Sequence, residues 1–169
     1  MKGTHAGVAQ TEAINRKVDA LESYVPSGYD KFDTTQIPAE AEPLNLTNSP
    51  FVAIPAPGAS AVMFQFVVPT GQRYINQFMA IIIEGGGFID GTGDVTWAVT
   101  RNGAGLRGLQ NLTAQLGSFT QPAQIYLGEL VENDILQVVA TTKAGILPLN
   151  VSCGVLIRGY LASLVKEGY

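Results

Sequence analysis

The sequence predicts a mainly β protein: an antiparallel β-sandwich of jelly-roll type over residues 58–169, preceded over residues 1–57 by a short N-terminal α-helix and an extended proline-rich arm. Three observations carry this reading. Between residues 60 and 162, apolar residues recur at every second position in runs separated by Gly, Pro and Asn. No helical period interrupts those runs. Six of the nine prolines fall between residues 26 and 57, where they work against both helix and central strand.

The helix is predicted over residues 11–25. Ile14, Val18, Leu21 and Val25 recur at spacings of four, three and four, the a/d seam of a coiled coil. Thr11 is suited to the N-cap, Glu12, Arg16, Lys17, Asp19 and Glu22 lie off the seam, and Pro26 stops the helix. Four turns are marginal alone in water, so the seam needs a partner. That partner is a sister chain, a larger assembly or the chain's own domain, and the seam residues suit two strands or three.

The arm follows, with Pro26, Pro38, Pro43, Pro50, Pro55 and Pro57. Tyr29, Phe32, Ile37, Leu44, Leu46, Phe51 and Ile54 are too many apolar groups for a free linker, so the arm is expected to lie on a neighbouring subunit. Strands come next. Val62, Phe64, Phe66 and Val68 alternate towards a Pro69-Thr70-Gly71 turn, and residues 73–83 are apolar on both faces, as in a strand covered on two sides. Val95, Trp97 and Val99 form one face of a strand that ends at Asn102-Gly103, a pair suited to positive φ. Further strands are predicted over 125–131, 135–142 and 149–161. In the last, Leu149, Val151, Cys153, Val155, Ile157 and Leu161 share a face, Arg158 and Tyr160 belong to the opposite one, and Gly159 marks a bulge or a close approach. Seven or eight short antiparallel strands suit a sandwich, with a jelly roll as its common closed form.

Composition narrows the functions. Only 14% of the 169 residues are charged, against roughly 25% in an average soluble domain. Between Pro43 and Ile83 the single charge is Arg73. Long uncharged strands favour a self-associated state. The net charge of -4 argues against nucleic acid, which takes a basic face. The longest near-apolar run, residues 78–83, is too short to span a bilayer, and residues 1–10 contain no apolar signal core; a soluble chain made in the cytoplasm is expected, with no membrane partner. Cys153, the one cysteine, excludes an internal disulfide and reads as a small buried hydrophobe.

No set of residues forms a catalytic kit. His5 is the only histidine, and the glycines at 85–87 are followed by no lysine, so neither a serine-type triad nor a phosphate loop is indicated. Asp90 and Asp94, with Glu84, offer oxygen ligands of the kind calcium takes, but their spacing matches no EF-hand and acid–glycine pairs are ordinary turn chemistry. The same two aspartates as the acids of a hydrolase lack any recognisable nucleophile and base. No metal and no cofactor are expected. A loop carrying Phe88, Asp90 and Asp94, with the charge-free run over 108–128, forms the candidate ligand surface, for a sugar or a protein.

Several segments in order resemble a known group of proteins. They are Val68-Pro69-Thr70-Gly71-Gln72-Arg73, the Val95-Thr96-Trp97 to Asn102-Gly103 strand and turn, Gln115-Leu116-Gly117-Ser118, Glu132-Asn133-Asp134-Ile135, and the closing Arg158-Gly159-Tyr160. Together they resemble accessory structural proteins of tailed-bacteriophage virions, small and often trimeric β-sandwich or jelly-roll proteins of head decoration, head fibre, collar spike or tail. The resemblance implies a non-enzymatic virion component, made in the host cytoplasm. It implies a homotrimer attached through its N-terminal part to major capsid, portal, neck or tail proteins. The alternative from another class is a carbohydrate- or receptor-binding module at a fibre or tail tip. It would take a host surface glycan on the loops around 88–92 and 110–124.

Overall fold

Two strands of unusual length dominate the chain. Gln72–Gly86 and Asn150–Ser163 are rich in β-branched and aromatic residues, the types that fit a pleated and half-buried surface. A computed structural model describes residues 37, 38 and 40–164. Among the described residues there is no helix, and every strand pair is antiparallel. The helix expected over 11–25, with Ile14, Val18, Leu21 and Val25, lies outside them, as does the first part of the arm.

In chain order the strands are β1 (Glu42–Thr47), β2 (Val52–Ala53), β3 (Ser60–Val67), β4 (Gln72–Gly86), β5 (Val95–Arg101), β6 (Ala104–Gly105), β7 (Ala123–Gln124), β8 (Glu129–Leu130), β9 (Ile135–Thr142) and β10 (Asn150–Ser163). The first sheet runs β1-β10-β4-β7, with β2 also on β10 and β8 also on β4; the second runs β3-β9-β5-β6. These strands belong to one compact unit, β1 and β2 of the predicted arm included. The reason lies in where the prolines sit. Pro43 occupies the edge strand β1, where a missing N–H disturbs no interior ladder, so the second half of the predicted arm pairs with β10 of its own chain.

The β4–β10 register contains a bulge. Arg158 faces Phe78 and Gly159 faces Asn76, so Gln77 is the extra residue. Gly159 is required there by close approach: a Cβ would come within 2.1 Å of the Ile75 carbonyl oxygen and 2.9 Å of the Tyr74 ring. Beneath it, the Tyr74 hydroxyl donates to Asn76 Oδ1 at 2.8 Å, and Asn76 Nδ2 donates to the Ile125 carbonyl at 2.7 Å. Both side chains are fully buried. Burial holds the Tyr74 hydroxyl protonated, its pKa well above the ordinary phenol value.

A second bulge, in β3, corrects the predicted face. Val62 faces Val139 and Phe64 faces Val138, which leaves Met63 as the extra residue. Phe64 and Val68 are buried and Phe66 half-buried, but Val62 is turned out and 45% exposed. Asn48 holds this bulge to the other sheet. Its Nδ2 donates to the carbonyls of Met63 (3.1 Å) and Cys153 (2.9 Å), and its Oδ1 accepts from the Val155 N–H (2.7 Å).

One hydrophobic cluster draws on both sheets: Tyr74, Met79, Ile81, Cys153, Val155 and Ile157 from the first, and Phe64, Val95, Trp97, Val99, Leu136 and Val138 from the second. Trp97 is a core residue, as its phase predicts. Burial pushes the Cys153 thiol up to about 12, so it stays protonated near neutral pH. The strand predicted over 125–131 is shorter than expected, with only Glu129–Leu130 in ladder.

At one end of the second sheet, Asp134 ties two turns together. Its carboxylate accepts from the Arg101 guanidinium, from Asn102 Nδ2 (2.7 Å) and from the Val131 N–H (2.8 Å). Asn102 and Gly103 have φ of 51° and 80°, as the predicted turn needs. Burial opposes the Asp134 charge, yet the hydrogen bonds from Arg101, Asn102 and Val131 and the Arg101 charge outweigh it, and its pKa lies below the ordinary carboxylate value.

Candidate functional site

The glycine-rich loop between β4 and β5 carries the residues that composition singles out, and the structure gives them structural partners. Phe88 is half-buried, its ring centroid 6.2 Å from that of Trp97. Asp90 Oδ1 accepts from the Gln115 N–H at 2.6 Å, and the Gly91 N–H donates to the Thr113 carbonyl at 3.0 Å. The Asp94 carbonyl accepts from the Lys143 N–H at 2.8 Å. Phe88 thus packs on the core, and Asp90 clamps the loop to residues 113–115. Among the described residues no group of three or more His, Cys, Asp or Glu could hold a metal ion.

The charge-free run over 108–128 is likewise tied down along its first half. Leu112 exchanges backbone hydrogen bonds with Trp97 (2.8 and 3.0 Å), and Leu116 does the same with Ile81 (both 2.9 Å). The Val99 N–H donates to the Leu109 carbonyl at 2.9 Å. Because Trp97 and Val99 lie in β5 and Ile81 in β4, this segment crosses from the second sheet to the first. Leu106, Leu109, Leu112 and Leu116 pack against the hydrophobic cluster. Its Gln, Asn and Thr side chains are exposed, while the leucines between them anchor it to the core.

A different surface shows the property that composition anticipates. The register of the second sheet stacks Ser60–Thr141–Thr96, Val62–Val139–Ala98, Gln65–Gln137–Thr100 and Val67–Ile135 into rungs. These residues alternate with the core-facing Ala61, Phe64, Phe66, Trp97, Val99, Leu136, Val138 and Ala140, so they make up the outer face. None of the eleven carries a charge. Val62 and Val67 are each 45% exposed. Their polar neighbours already pair across strands: Ser60 Oγ lies 2.7 Å from Thr141 Oγ1, Gln137 Nε2 donates to Gln65 Oε1 at 2.8 Å, and Thr100 Oγ1 donates to Gln137 Oε1 at 3.5 Å.

Such a face offers no cation to a phosphate or a nucleic-acid backbone. It suits contact with another uncharged surface. No charge would have to be stripped of water, and the paired hydroxyls and amides lower the cost of desolvating the polar rungs. Sequence reasoning anticipates the low charge of these strands, but not which face is open. Comparison of the chain with family models, with curated proteins and with solved structures gave no match in any of the three.

Proposed function

We propose that the chain is a non-enzymatic structural component of a tailed-bacteriophage particle, a head decoration or cement, head fibre or collar spike, that works as a homotrimer. In this reading the two antiparallel sheets form a β-sandwich of jelly-roll type. The helix over 11–25 joins sister chains through Ile14, Val18, Leu21 and Val25, and with the arm it holds major capsid, portal, neck or tail proteins.

The observation that supports assembly is the uncharged outer face of the second sheet, with its exposed valines. A monomer normally keeps solubility with interspersed charge, and an uncharged face of this kind, with exposed valines among paired hydroxyls and amides, suits a neighbouring copy. The order of motifs from Val68 to Tyr160 supports the virion setting.

Light scattering after size exclusion tests the assembly. The full chain, 17.9 kDa, should elute as three times that mass, about 54 kDa. A Val62→Asp, Val139→Asp double variant, which places charge on the central rung, should shift the population towards lower mass. A wild-type mass of 17.9 kDa contradicts the assembly reading.

A further inference from the structure

The bulge at Gln77 has an outward side as well as a buried one. Along one rung Asn45, Arg158 and Phe78 are neighbours on β1, β10 and β4, and along the next Pro43 faces Tyr160. The irregular register opens a cleft of about 210 Å³ among these residues and Gln77, on the outer face of the first sheet. A cavity of about 150 Å³ takes one benzene ring, so this volume is on the scale of one six-membered ring.

The cleft is organised in advance. Arg158 Nε donates to Asn45 Oδ1 at 3.4 Å and Nη2 to the Phe119 carbonyl at 3.3 Å, which fixes the guanidinium plane. Its Nη1 has no hydrogen-bond partner among the described residues. The extra residue is pinned as well, because the Ile125 N–H donates to the Gln77 carbonyl at 2.9 Å. Behind the cleft, Gly159 and the buried Tyr74–Asn76 pair hold the bulge in place. Bulges of this kind re-aim side chains, and here four of them from β4 and β10 line one opening.

We propose that this cleft binds one pyranose unit of an acidic saccharide. An apolar wall of Pro43, Phe78 and Tyr160 suits the C–H face of a sugar ring. The Gln77 and Asn45 amides, each donor and acceptor, suit its hydroxyls. The Arg158 fork suits a sugar carboxylate. A peptide strand is less well matched: it would pair along the backbone edge of β1, which no strand covers among the described residues, whereas this opening lies on the face of the sheet. The proposal stands apart from the virion reading, since it rests on the first sheet alone.

Titrating isotope-labelled full chain with glucuronic acid, followed by amide and guanidinium Nε–H resonances, tests it. Shifts should appear at Asn45, Gln77 and Arg158 and saturate at about 1–10 mM, the range of a weak small-ligand site. Affinity should fall about tenfold or more for Arg158→Lys, since an ammonium does not replace a fixed fork. Tyr160→Ala should weaken it as well, with the rest of the spectrum unchanged in both variants. Absence of shifts at about 50 mM overturns the site. Equal shifts with acetate would reduce it to carboxylate binding and overturn the sugar assignment, and equal affinity for glucose would overturn the acidic one.

Discussion

Asp134→Ala is expected to destabilise the domain by about 2 kcal/mol, within the usual cost of leaving buried hydrogen-bonding groups unsatisfied, because the carboxylate is buried while its Arg101 partner is 34% exposed. The substitution leaves three donors without their acceptor: the Arg101 guanidinium, Asn102 Nδ2 and the Val131 N–H. Asn102 also accepts from the Ile135 N–H at 2.8 Å, so loosening its amide reaches the start of β9. Chemical denaturation of the two forms at pH 7 measures the loss, and a change below about 0.5 kcal/mol would show the network to be ornamental. The same carboxylate predicts a pH dependence. Its pKa is depressed in the folded state, so its stabilisation is present above the unfolded carboxylate value of about 3.9 and is lost as pH falls through the lower folded-state value. The Asp134→Ala form should lack that component of acid sensitivity.

Gly159→Ala is expected to be at least as damaging, at about 3 kcal/mol, the upper end of the usual cost of overpacking. Its new Cβ would sit 2.1 Å from a backbone oxygen, that of Ile75, which cannot move without shifting the β4–β10 ladder. The Tyr74 ring cannot swing clear either, because its hydroxyl is bonded to Asn76 inside the core. Gly154→Ala is the informative contrast. There the added carbon meets the Phe51 ring at 2.4 Å, a half-buried side chain that can rotate off the outer face, so about 1 kcal/mol is expected. Denaturation midpoints of the two variants should rank in that order. Gly159→Ala within about 0.5 kcal/mol of wild type would mean the bulge is not rigid.

How far the fold can be read from the sequence follows from how local its causes are. β10 is legible throughout, since its alternation from Val151 to Ile157 is unbroken and Gly159 marks the bulge. Trp97 and the Asn102-Gly103 turn are legible for the same reason. β3 is half legible. Val62, Phe64, Phe66 and Val68 alternate as one face, and the bulge that turns Val62 outward is held by Asn48, 15 positions earlier, which also bonds to Cys153 and Val155. No local pattern announces such a bridge. The arm misleads from Glu42 on because proline is tolerated at a sheet edge, and edge or centre is a property of the whole sheet.

The candidate sites divide in the same way. Phe88, Asp90 and Asp94 stand out because glycine and aspartate cluster there, yet Asp90 is engaged by Gln115, 25 positions away. The uncharged sheet face is visible in composition and invisible in placement until β3, β9 and β5 are in register. The cleft on the first sheet joins Asn45, Phe78 and Arg158 from three strands far apart in the chain.

The most direct measurement is protein mass spectrometry on tailed particles, banded in a density gradient, from cells that carry the gene for this chain. A virion component should band with the particles in fixed proportion to the major capsid protein, at a copy number divisible by three. Recovery of the chain only in the soluble fraction, with none in the particle band, would contradict the virion reading.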